Sequence, residues 1–290
     1  MYRKFSMQNG DGTILPLSIP TTGLFLDSPK GLGLTSTTNF IRIGDDNLLN
    51  YQQYEFPSIS FTMVFCGKTN ADKYDMYTTF VRFLSKKPLY LIYEIPSSTV
   101  AYRIPFEVKT LDKTEVGRDN LLQCAMQITP TSFWEDNIKK TIVVTNKEEV
   151  EGEKKYILHR PYVYKTNSFT DIRINSVTLL STPFEFTIDG YVNNPKYYLY
   201  DENGVAYGYG KFIGQFDKVY VNSDPKNETI DLERLGEKLP NPYSYQDFEE
   251  TSEETTFLTL RSGKNRLAFH LGNEFDGSVL IEWRDRYVTV

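Results

Sequence analysis

Ser58-Ile-Ser-Phe-Thr-Met-Val-Phe65, then Asn70 to Lys87, then Leu89-Tyr-Leu-Ile-Tyr-Glu-Ile95 is the passage that decides the fold. In its first piece Ile59, Phe61, Met63 and Phe65 alternate with Ser58, Ser60 and Thr62, a period of two that lays one strand face on a core. The middle piece changes period. Tyr74, Tyr77, Val81 and Leu84 recur at intervals of three, four and three, which predicts one amphipathic helix with these four as its core-packing side. Asn70 can cap the start, Asp72 lies in the first turn, Lys86 and Lys87 close the last, and Pro88 stops it. The third piece returns to strand.

Toward the N-terminus, Asn9-Gly-Asp-Gly-Thr13 is a turn, and Ile14 to Pro20 is extended, with prolines suited to a sheet edge. Residues 23–33, from Gly23 to Gly33, read as a glycine-punctuated loop. Toward the C-terminus, a turn at Pro96-Ser-Ser98 precedes strands over Thr99–Ile104, Phe106–Leu111 and Asn120–Thr129. In the last of these Leu122, Cys124, Met126 and Ile128 share a face, so Cys124, and Cys66 at its own strand end, read as small core hydrophobes. The first half is therefore expected to be a β-sandwich interrupted by a single helix.

The charged stretch Asn146 to Lys155 holds almost nothing to bury and sets the expected domain boundary, giving domains 1–145 and 146–290. Beyond it come strand signals at 162–164, 171–179, 184–188, 196–200, 211–220, 228–231, 257–260, 266–271 and 278–290. Turns at Asp189-Gly, Asn203-Gly, Ser262-Gly and Asp276-Gly punctuate them as in a sandwich or jelly roll. Two long excursions stand out, Leu232 to Asp247 and the acidic segment Phe248 to Thr255.

Composition agrees with two globular, β-rich domains: 290 residues, 40% hydrophobic, with 21 Tyr and 19 Phe. Only two Cys and two His are present, far apart and without metal-ligand spacing, so neither a zinc site nor redox chemistry is expected and the thiols are read as reduced. No apolar run is long enough to span a membrane and the start lacks a signal-peptide pattern, so a soluble protein is expected. Residues 1–145 carry 15 Lys+Arg against 14 Asp+Glu, and residues 146–290 carry 17 against 24. Neither half has the dense basic face that phosphate neutralisation demands, which argues against nucleic-acid binding.

Catalytic chemistry finds no foothold. Glu249, Glu250, Glu253 and Glu254 could suggest a glycosidase, but a polar stretch fixes no carboxylate separation and reads as a solvated loop. There is no G-x-S-x-G elbow or P-loop, and Gly208-Tyr-Gly210 falls between strand signals without a following helix. His270, between apolar residues, reads as structural, and His159 has no partner in the sequence. Asn227-Glu-Thr229 fits the glycosylation pattern by chance. No catalytic, cofactor-binding or metal-binding residue is assigned, and the chain is not expected to be an enzyme. The remaining signal is aromatic: Tyr191, Tyr197, Tyr198, Tyr200, Tyr207 and Tyr209, with Tyr243 and Tyr245 in the first long excursion. Such tyrosines could stack on sugars or form a subunit interface, and composition does not separate the two uses.

The order of these elements resembles the distal tail proteins of long-tailed phages infecting Gram-positive bacteria. In the first half the resemblance rests on Ser58–Phe65, Tyr74–Leu84 and Pro88–Tyr93. In the second it rests on Phe184-Glu-Phe-Thr-Ile-Asp-Gly190 with Asn194-Pro195, on Leu260-Arg-Ser-Gly-Lys-Asn265, and on Val279 to Val290. The resemblance implies a virion structural protein: a homo-hexameric ring of tail-tube-like N-terminal domains carrying galectin-like C-terminal sandwiches. It would join the tail-tube protein to the tail-tip hub at the distal end of the tail and dock receptor-binding or baseplate proteins. Assembly would take place in the host bacterial cytoplasm, with DNA passing through the ring unbound and without a membrane partner. The alternative is a carbohydrate-binding or sugar-depolymerising tail protein acting through the C-terminal sandwich.

Overall fold

The computed structural model describes residues 4–17, 23–33, 35–95, 100–116, 121–145, 168–176, 178–247, 257–272 and 275–290. The chain divides into two compact units, residues 1–138 with 286–290, and residues 139–285. The division falls between Ile138 and Lys139, shortly before the expected boundary at Thr145. Lys140–Thr145 is a strand of the second unit, because Ile142 and Val144 pack on that unit's core, while Arg286–Tyr287 pairs with Trp134–Asp136 of the first. Several expectations lie outside the described residues: the charged stretch 146–155, the strand 162–164, the turn 96–98, the acidic segment 248–255 and His159.

The first unit contains β1 (Lys4–Gln8), β2 (Ile14–Pro16), β3 (Leu24–Lys30), β4 (Thr35–Ile43), β5 (Asp46–Glu55), β6 (Ile59–Phe65), α1 (Asn70–Leu84), β7 (Leu89–Glu94), β8 (Ala101–Val116), β9 (Leu121–Pro130) and β10 (Trp134–Asp136). Its main antiparallel sheet runs β2-β1-β7-β8-β9-β6-β3, with β10 attached to β8. Pro16 sits on the edge strand, where a missing N–H costs no ladder bond. The alternation in β6 works as its period requires: Ile59, Phe61, Met63 and Phe65 are buried against α1 and the inward residues of β9. Gly23 to Gly33 is not simply a loop, since β3 pairs with β6 from Leu24 to Lys30.

The helix is present but its buried side is displaced from the expected one. Phe80, Phe83 and Leu84 are buried and Met76 and Tyr77 pack against the core, whereas Tyr74 is 42% and Val81 40% exposed. Intervals of three and four fit either phase. The phenylalanines prevail because each fully buried ring contributes about 2–3 kcal/mol and brings no hydroxyl to satisfy. Tyr74 instead lies under the Lys113 ammonium, 4.5 Å from its ring centre. The cap is Thr69, not Asn70. Its hydroxyl accepts from the Asp72 N–H (3.1 Å), and the Asp72 carboxylate accepts from the Thr69 N–H (2.9 Å), closing a capping box. Asn70 accepts from Lys73 Nζ at 3.2 Å, and Lys73 is only 4% exposed.

In the second unit β11 (Lys140–Thr145), β13 (Thr182–Asn193), β16 (Gln215–Asn222), β17 (Thr229–Arg234), β18 (Glu237–Lys238) and β21 (Ser278–Trp283) form a sheet ordered β11-β21-β13-β16-β17-β18, to which β19 (Thr259–Leu260) adds at β13. A second sheet runs β12 (Ser168–Ser176), β20 (Gly263–His270), β14 (Lys196–Tyr200), β15 (Ala206–Lys211). The two enclose one core, with Phe184, Phe186 and Ile188 from the first sheet and Tyr197, Leu199, Leu267 and Phe269 from the second. The described residues are thus mainly β, with a single α-helix among them, in the first unit. Gly208 and Gly210 lie within β15 rather than between strands: a Cβ on Gly210 would collide with the Tyr197 ring, and one on Gly208 with Leu258.

Candidate interaction surfaces

Two surfaces stand out, one in each unit. In the first unit β4 and β5 form a two-stranded hairpin separate from the main sheet, paired from Thr35↔Glu55 to Ile43↔Asp46. The turn is Gly44-Asp45, with Gly44 at φ 64°, a conformation glycine adopts without strain. Apolar residues face each other across its outer half, Phe40↔Leu49 and Ile41↔Leu48, and these four together with Ile43 and Tyr51 are exposed. Apart from Ser36 and Tyr54, every residue of the two strands is exposed, so neither face is covered by the described chain. A hairpin of this kind is marginal in water without cover. Sequence reading passed over it, although a Gly-Asp pair between Phe-Ile-Arg-Ile and Asp-Asn-Leu-Leu is a recognisable hairpin signal.

The second surface is the outward side of the sheet β12-β20-β14-β15. Tyr198 stacks on its neighbour Tyr200 (ring centres 6.1 Å) and on its cross-strand partner Tyr209 (6.0 Å), and His270 meets Tyr198 edge-on at 5.2 Å. Arg266 lies over the Tyr200 ring at 4.2 Å. His270 is therefore an exposed residue of this face and not a buried structural one, because β20 turns it to the opposite side from Phe269. Rings that stack on one another show their edges outward and keep few faces for a sugar ring.

The other tyrosines named from sequence fall elsewhere. Tyr197 is 1% exposed, part of the core against Phe186 and Phe212, and its phenol is raised well above its ordinary value by burial; it is no contact residue. Tyr207 is half-buried and donates to Asn265 Oδ1 at 2.6 Å. Burial pushes its phenol up to about 12 against the opposing pull of the Arg261 backbone and charge. Asn265 in turn accepts from the Arg261 N–H and donates to the Arg261 and Gly263 carbonyls, so this tyrosine fixes a turn. Tyr243 is exposed and Tyr245 packs edge-on against Phe216, both on a short 3-10 turn over Pro242–Tyr245.

Electrically the units differ. Residues 139–285 hold 18 Lys+Arg against 24 Asp+Glu and carry the whole −6 of the chain, while the first unit holds 14 against 14. Inside the second unit Asp285 is fully buried, ion-paired to Lys140 (2.6 Å) and hydrogen-bonded by Ser176 Oγ (3.1 Å), which neutralises a carboxylate that burial alone would not tolerate. Cys124 is buried and its thiol is pushed up to about 11 by that burial, against the pull of Lys113, so it stays a protonated core residue; Cys66 is only half-buried. Among the described residues no group of three His, Cys, Asp or Glu could hold a metal ion, and no helix is long and apolar enough to cross a membrane.

Residues 4–131 match the family model of the distal tail protein N-terminal domain. The chain carries a distal tail protein N-terminal domain. Both the match and the hairpin lie in the first unit. No curated protein matches the sequence. The fold extends the likeness over the second unit. A chain of the phage P2 baseplate in its activated conformation with Ca superposes with a TM-score of 0.63 at 19% identity, covering 100% of both chains. The Dit protein of SPP1, described as a paradigm of the hub adsorption apparatus in phages infecting Gram-positive bacteria, gives 0.61 at 9% identity over 96% of this chain and 98% of its own. Whole-chain correspondence at such low identity shows a shared, mainly β fold.

Proposed function

We propose that this chain is a phage distal tail protein that closes into a homo-hexameric ring through its first unit, joining the tail tube to the tip hub, with the second unit docking receptor-binding or baseplate proteins. The observation that carries the ring is the uncovered hairpin Thr35–Glu55. Each large apolar side chain gains roughly 1.5–3 kcal/mol on full burial, so Phe40, Ile41, Leu48 and Leu49 amount to a strong drive toward a partner surface. A head-to-tail contact made by one copy on the next satisfies every hairpin at once only if the set closes into a ring. The number six rests on the family resemblance. A neutral ring-forming unit and an acidic second unit fit this division of labour, since like-charged docking units resist clustering. The role is structural and not enzymatic, and assembly takes place in the host bacterial cytoplasm.

Light scattering on the full chain tests the ring. Six chains of 33.6 kDa should give about 200 kDa, and Leu48→Asp should reduce this to the monomer mass without loss of fold. A wild-type chain that stays monomeric up to the highest soluble concentration, or a Leu48→Asp variant that assembles as well as wild type, overturns hairpin-driven closure.

A further inference from the structure

We infer that residues 286–290, which follow the whole second unit in the chain, act as a clasp on the base of the β4–β5 hairpin and fix the direction in which the first unit presents it. The inference rests on the reading of that hairpin as the ring contact and names what sets the contact. It starts from what the hairpin lacks. Only Ser36 and Tyr54 of its two strands are half-buried, and among the described strands none of the main sheet pairs with either of them. A two-stranded ribbon joined to its domain only at its base takes its direction from that base.

Where the chain enters the hairpin, Gly31 (φ 85°) presses its backbone on the departing chain: a Cβ there would stand 2.3 Å from the Ser58 carbonyl oxygen. Where the chain leaves, the Phe56 ring meets Phe133 with centres 4.7 Å apart. The tail adds contacts to both ends. Thr289 Oγ1 donates to the Leu32 carbonyl at 3.2 Å, just upstream of β4. Val288 lines a small cavity together with Gly31, Gly33, Glu55 and Phe56, so one side chain faces entry and exit alike.

The clasp is itself firmly seated. Tyr287 stands opposite Trp134 and Arg286 opposite Glu135 in an antiparallel pair. The Tyr287 hydroxyl donates to Oδ1 of the buried Asp136 at 3.0 Å, its ring meets Tyr102 edge-on at 4.9 Å, and Val290 packs against the first-unit core. Lifting the tail takes a donor from a buried carboxylate and wets aromatic surface, which is why so short a segment stays docked. The consequence for assembly is geometric. A head-to-tail set closes only when every copy offers its contact at the same angle, so a hairpin freed at its base favours monomers and open assemblies over a closed ring. Order of synthesis then acts as a control. The chain is made N-terminus first, so the hairpin is not set until residues 139–285 have been made, and a first unit that lacks its second does not enter rings. The family-domain match ends at residue 131 and does not include the tail.

Hydrogen–deuterium exchange of the full chain, dilute enough to be monomeric, tests the clasp apart from the ring. Val288→Asp should speed exchange over the hairpin segments 35–43 and 46–55 by at least about fivefold, while β6, β9 and the second unit keep wild-type rates. Should that variant fold poorly, Thr289→Val, at an exposed position, removes only the hydroxyl and should still speed hairpin exchange about twofold. Light scattering at high concentration should then show Val288→Asp assembling less completely than wild type. Wild-type hairpin exchange in both variants, or exchange quickened equally in β6 and β9, overturns the clasp. Rings formed as well by Val288→Asp as by wild type overturn it too, with the ring left standing, whereas a wild-type chain that never assembles overturns the ring and leaves the exchange result to decide the clasp.

Discussion

Two antiparallel strand pairs in the first unit make a direct contrast. Between β6 and β9 the facing residues Phe61↔Met126, Met63↔Cys124 and Phe65↔Leu122 are all buried under α1 and the rest of the core. Between β4 and β5, Phe40↔Leu49 and Ile41↔Leu48 are equally apolar and exposed, each at 50–55%. The same cross-strand chemistry therefore supports the fold in one place and stands ready for a partner in the other. What differs is whether the chain supplies its own cover.

The largest effect that would break this contrast is on stability. Phe80→Asp puts a carboxylate into the covered core and should cost about 3–5 kcal/mol in urea unfolding, while Leu48→Asp, measured on dilute monomer, should cost under about 0.5 kcal/mol. Val81→Asp, on the exposed side of the helix, should stay under about 1 kcal/mol. Similar midpoints for Phe80→Asp and Leu48→Asp would mean that the hairpin is covered by its own chain after all.

A second, smaller effect sharpens the comparison within the second unit, between buried and exposed ion pairs. Lys140→Met strands the buried Asp285 carboxylate and should destabilise this unit by about 2 kcal/mol, discounted from the usual cost because the Lys140 side chain is partly exposed. Lys238→Met, which breaks the exposed pair with Asp231, should change stability by less than about 0.5 kcal/mol. Calorimetric scans of the two variants compare them directly, and an equal loss would remove the distinction.

The smallest effect is alkaline. Tyr197 and Tyr207 are held neutral in the folded state above the ordinary phenol value of 10.0, so the stability they contribute is full below pH 10 and is lost as pH rises toward about 12. Phenolate absorbance of the native protein should therefore show a late-titrating group that Tyr207→Phe reduces. Complete ionisation near pH 10 while the circular dichroism spectrum is native would contradict the burial of these rings.

Much of the fold was legible because apolar residues recur at every second position, Ile59, Phe61, Met63 and Phe65 in one strand and Leu122, Cys124, Met126 and Ile128 in another, which puts them on one face. The helix was legible in its existence and extent but not in its phase. Intervals of three and four admit two stripes, and only the surrounding strands chose Phe80 and Phe83 over Tyr74 and Val81. The hairpin went unread because its Phe-Ile and Leu-Leu doublets break alternation, placing apolar side chains on both faces of the ribbon. Of the candidate tyrosines, one became core and others a stacked ladder, since neighbours in sequence point to opposite sides of a strand.

By itself the sequence determined that the chain is β-rich, that a helix lies between the strands at Ile59–Phe65 and Leu89–Glu94, and that its negative charge lies in the second half. These follow from residue supply and local period, which need no knowledge of distant contacts. The tertiary structure alone decided which apolar residues lack cover, that Arg266 faces Arg173 and Lys196 faces Lys211, and that Lys140 neutralises Asp285. Each of these depends on the register of strands remote in sequence, which pairing and packing fix together and no local pattern encodes.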